Sequence, residues 1–126
     1  STGAAFLAPV RNRSNLHIIT NAEVQQVVLQ DGRATGVRLT HDGTEQTVHA
    51  AGEVILSAGA IGSPDILLRS GIGAGQQIQG FGGTVTHDLP GVGQNLQDHV
   101  DIMVICKSRG TTAYGLSVQA APKLAL

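Results

Sequence analysis

Tryptophan is absent from this 126-residue chain, and its aromatic complement is two phenylalanines and one tyrosine. Large rings carry much of the area in most cores, so a close-packed interior here would rest on aliphatic residues. Charge is also sparse, at 13% of residues with a net value of −1. Arg11 and Arg13 form no basic cluster able to displace counterions from phosphates, which excludes a nucleic-acid surface. No apolar run approaches the roughly 20 residues that span a bilayer, and the N-terminus lacks a basic region followed by a signal-type hydrophobic segment. A soluble, cytoplasmic protein is expected. Cys106 is the sole cysteine, so neither an intrachain disulfide nor a zinc-binding cysteine pair is possible. Within the apolar run from Ile102 to Ile105 it reads as a buried structural thiol.

What is plentiful is glycine, with 17 residues, alongside a hydrophobic content of 41%. That balance indicates tight turns and close backbone approaches more than a self-sufficient packed unit. With Ser1 rather than Met at its start, the chain reads as a piece of something larger.

Hydrophobic alternation predicts a short helix over residues 3–9 and strands over 16–20, 23–30, 33–40 and 44–51. Asp31-Gly32 and Asp42-Gly43 supply hairpin turns, giving a three-stranded antiparallel meander. A strand follows at 54–57, and Gly59 lets the backbone turn sharply where a side chain would obstruct a ligand. Ser63 then suits the N-cap, Pro64 the first helical position, Asp65 the positive end of the dipole, and Gly71 the left-handed stop. Residues 100–107 read as a further strand. Periodicity alone implies mixed α/β. A strand feeding a helix in this way can hold the phosphate, ribose or adenine of a dinucleotide, although the same unit occurs where no ligand binds.

Other motifs carry less. The glycine groups 71–75, 80–83 and 91–93 resemble phosphate loops, but none fits Gly-x-Gly-x-x-Gly between a strand and a helix, so they are read as turns. Asp98, His99 and Asp101 lie too close in sequence to converge on a metal without a sharp turn, and no metal is expected. His17, His41 and His49 are read as strand or turn residues.

From Gly59 to Gly73 the residues resemble the second signature of the glucose-methanol-choline (GMC) flavoprotein oxidoreductases: Gly, a small residue, two free positions, Ser, Pro, aliphatics, then Ser-Gly-Ile-Gly. Asn15-Leu16, Ala22-Glu23-Val24 and Ala34-Thr35-Gly36-Val37 are similar to segments before it. Asp88-Leu89-Pro90-Gly91-Val92-Gly93-Gln94-Asn95-Leu96-Gln97-Asp98-His99 is similar to the segment after it in the choline dehydrogenase-like branch. Gly83 and Thr84 depart from the family's usual Ile and Pro, which predicts a softer loop.

The resemblance implies a fragment of a glutathione-reductase-type FAD-binding domain, an antiparallel β-meander followed by a parallel strand and a capped helix. Residues 1–105 would belong to that domain, and 106–126 to a linker or the start of a substrate-binding region. It implies FAD as cofactor, with Val24 meeting the adenine ring and Ser57, Ala58 and Gly59 lining the adenosine side. The parent reaction would pass hydride from an alcohol CH–OH carbon to the flavin. The catalytic histidine and the diphosphate fingerprint of the family have no counterpart here, so no catalytic residue is assigned and the fragment alone is expected to be inactive. His99 is read as positioning a loop near the flavin or a domain junction. The implied partners are a small alcohol substrate and the missing N- and C-terminal parts of the same enzyme. The alternative is a non-catalytic adenosine-binding or interaction module that retains the fold segment.

Overall fold

The computed structural model describes residues 1–104. Residues Ser1–Leu96 form one compact unit.

Its centre is the antiparallel meander of β1 (Ala22–Gln30), β2 (Arg33–His41) and β3 (Thr44–His49), in that spatial order. The two-residue turns Asp31-Gly32 and Asp42-Gly43 have positive φ at both positions, 49° and 75° in the first and 49° and 78° in the second. That is the turn geometry whose twist matches the strands it joins.

Register decides which side chains reach the core. Val24 opposes Leu39 and Gln26 opposes Arg38, so Gln25 is an extra residue on β1. This bulge shifts the two-residue alternation by one, and Val24, Val27 and Leu29 share a face with Val37 and Leu39. On that face Val27 and Leu39 are buried. Helix α1 (Gly59–Arg69) packs against β1, and its Ile66 is buried. A second small core forms where β4 (Ile72–Gly73) pairs in parallel with β5 (His87–Asp88). The helix α2 (Gly75–Gly80) lies between them in sequence and buries Ile78 completely.

The structure corrects several expectations. Residues 16–20 and 54–57 form no strand among the described residues, and neither do residues 100–104. A strand exists only by pairing, and none of these segments finds a neighbouring ladder. The parallel strand expected ahead of the helix is therefore missing, and the parallel pairing that does occur, β4 with β5, lies after it. The helix expected at 3–9 is instead one π-helical turn, Gly3–Leu7, with no buried residue. Cys106, the rest of the expected strand 100–107 and the proposed region 106–126 lie outside the described residues. No helix among the described residues is long and apolar enough to cross a membrane.

Candidate functional site

Helix α1 begins earlier than its cap residues imply. Its first residue is Gly59, so Pro64 lies inside the helix and its first turn holds no acid. Ser63 is not the N-cap: its Oγ accepts the Ala58 N–H at 2.9 Å, from within the helix. Asp65 does not serve the dipole either, because its Oδ2 accepts from the Arg69 guanidinium at 2.6 Å one turn along. Gly71, at φ 80°, follows the helix as expected.

Ser57, Ala58 and Gly59 are contiguous and exposed. Gly59 sits at φ 84°, a conformation that costs an L side chain about 1–2 kcal/mol. A Cβ there would meet nothing within 4 Å, so the space in front of it is open. The Gly59, Ala60 and Ile61 N–H groups precede any intrahelical acceptor, and no carboxylate in the first turn competes for them. Ile55 and Ile61 are 75% and 74% exposed, so donors and apolar surface lie close together in the sequence.

Val24 is half-buried on β1, beside the bulge at Gln25. Its strand is tied to the opposite end of α1. The Arg69 guanidinium donates to Gln25 Oε1 at 3.0 Å, and the Val27 N–H donates to Ser70 Oγ at 2.8 Å. An 11-residue helix spans about 16 Å. Ser57, Ala58 and Gly59 are thus held together by sequence, whereas the hydrogen bonds from the strand that carries Val24 reach α1 at its opposite end, at Arg69 and Ser70. Sequence reasoning missed this Ser70 contact: it read Gly71 as the helix stop and Ser70 only as part of the Ser-Gly-Ile-Gly run.

Asp98 Oδ1 accepts the His99 N–H at 2.8 Å. Among the described residues no three His, Cys, Asp or Glu side chains gather as a metal site. His41 lies 3.5 Å from Asp42, at the second hairpin. A cavity of about 380 Å³ lies between the C-terminal half of α1 and α2, and it includes none of Val24, Ser57, Ala58 or Gly59.

Residues 1–101 match the GMC oxidoreductase family. The chain belongs to that family. It is 41% identical over 125 residues to an alcohol dehydrogenase [acceptor] of Pseudomonas putida, covering 98% of this chain and 23% of the relative. Against the oxygen-dependent choline dehydrogenase of Cronobacter sakazakii it is 47% identical over 104 residues, covering 81% and 19%. Among solved structures, pyridoxine 4-oxidase from Mesorbium loti matches with a TM-score of 0.67 and 32% identity over 71% of this chain and 18% of its own. An FAD-dependent oxidoreductase from Chaetomium thermophilum matches with a TM-score of 0.63 and 35% identity, over 66% and 15%. The chain spans about a fifth of the length of the curated relatives it matches. GMC oxidoreductases are FAD-dependent, and the mixed α/β unit seen here is part of their N-terminal domain.

Proposed function

We propose that this chain contributes the adenosine side of the FAD site in a GMC oxidoreductase that oxidises an alcohol CH–OH group. The observation that carries the reading is the start of α1. Small residues, a left-handed Gly59 and N–H groups without intrahelical acceptors meet open space there. Such a surface suits a ligand with acceptor atoms and a flat ring. Ser57, Ala58 and Gly59 would approach the adenosine closely, and Val24 would offer backbone groups to the adenine edge. The glutathione-reductase type of domain, with residues 1–105 inside it, belongs to the same proposal.

Bound FAD supplies the hydride acceptor for the alcohol carbon. This chain's own part is to bind and orient. Neither the base that takes the hydroxyl proton nor a diphosphate-binding loop is assigned to any of its residues, so turnover is proposed for the longer protein and not for residues 1–126 alone.

The test is reconstitution of the apoprotein with FAD, followed by flavin fluorescence and visible absorption. Ala58→Leu places bulk at an exposed position without disturbing a core, and the FAD dissociation constant should rise at least about ten-fold. An unchanged constant would overturn the reading.

A further inference from the structure

Ser70 is 8% exposed, and its hydroxyl uses both kinds of hydrogen bond. Oγ donates to the Ile66 carbonyl at 2.6 Å and accepts the Val27 N–H at 2.8 Å, joining residues 43 apart in sequence. Val27 lies on β1, an edge strand of the meander, so an amide on its outer side has no strand to pair with. The Ser70 hydroxyl satisfies that amide and holds β1 against the end of α1. The same dipeptide also grips the following segment. Thr86 Oγ1 donates to the Ser70 carbonyl at 3.3 Å, and the Thr86 and His87 N–H groups donate to the Gly71 carbonyl at 2.8 and 3.0 Å.

We propose that Ser70 is a positioning residue for cofactor binding, setting the spacing between the strand that carries Val24 and the helix that starts at Gly59. This rests on the reading of those residues as the adenosine side of the FAD site. Val24 lies three residues from Val27 on β1, and Ser57, Ala58 and Gly59 lead into the other end of α1, whose first residue is Gly59. Among the described residues, the second polar link between β1 and α1 is the exposed Arg69–Gln25 hydrogen bond, which water can replace. The buried Ser70–Val27 bond has no such substitute, because losing its acceptor leaves an amide unpaired in the core. Ser70 touches neither end of the proposed site and acts only through placement.

The experiment compares the protein carrying this chain with its Ser70→Ala variant, titrating FAD by fluorescence and ADP and FMN by calorimetry. If Ser70 positions the adenosine side, FAD and ADP affinities fall together by about ten-fold, and any affinity for FMN, which lacks adenosine, does not move. A merely structural serine lowers the melting temperature and leaves ADP affinity intact, which would overturn the inference. Ser70→Cys keeps the size but bonds weakly. It should show the same order with a smaller loss, and it serves if the alanine variant does not fold. If ADP binding is weakened by Ala58→Leu but not by either Ser70 variant, the positioning role alone fails. If wild-type protein binds neither FAD nor ADP, both readings fail.

Discussion

Ala58 donates its N–H to the Ser63 hydroxyl at 2.9 Å, closing the first turn of α1 back on the bend that precedes it. The bond satisfies one donor at the helix start and leaves those of Gly59, Ala60 and Ile61 without an intrahelical acceptor. Ser63→Ala removes that acceptor at a half-buried position. A loss of about 0.5–1 kcal/mol is expected, with faster hydrogen exchange at residues 58–62 and little change elsewhere. Uniform loss of protection across the unit would show that the bond does more than close one turn.

Gly59→Ala tests backbone conformation separately from crowding. The added Cβ has room, but φ 84° does not suit an L residue. Chemical denaturation should register a loss of about 1 kcal/mol. Equal stability would mean that the turn relaxes to another conformation, and FAD affinity would then report whether the original one matters.

Gly71→Ala should be far more damaging. Here φ is 80°, and a Cβ would stand 2.5 Å from both the Thr84 carbonyl oxygen and Thr86 Oγ1. Strain and overlap together predict about 2–4 kcal/mol, measured as a shift in denaturation midpoint. A loss similar to that of Gly59→Ala would show that the segment at 84–86 yields easily.

Asp88 Oδ1 accepts the Gly75 N–H at 2.9 Å, so β5 caps the start of α2. Asp88→Ala is expected to cost about 1 kcal/mol, and Asp88→Asn, which keeps an acceptor, a few tenths. Equal losses in the two variants would mean that the negative charge matters and not the acceptor.

Much of the meander was legible because its signals are local. Two Asp-Gly pairs mark the hairpins, and the alternation of Val27, Leu29, Val37 and Leu39 marks the strands between them. The bulge at Gln25 was not, since an unpaired residue becomes visible only against the partner strand. Ser63, Pro64 and Asp65 together imitate a helix start. The actual start is five residues before Pro64, where the left-handed Gly59 turns the chain into the helix and the Ser63 hydroxyl accepts the Ala58 N–H.

By itself, the sequence determined the turn positions, the three meander strands, the left-handed stop at Gly71 and the run of motifs that marks the family. Each depends on residues adjacent along the chain. Tertiary structure decided which apolar runs became strands, since residues 16–20 and 54–57 lack a ladder to join while Ile72–Gly73 and His87–Asp88 found each other across α2. It also decided that Ser70 would meet Val27, 43 residues away. A hydrogen bond at that separation depends on how sheet and helix pack, and no local pattern encodes it.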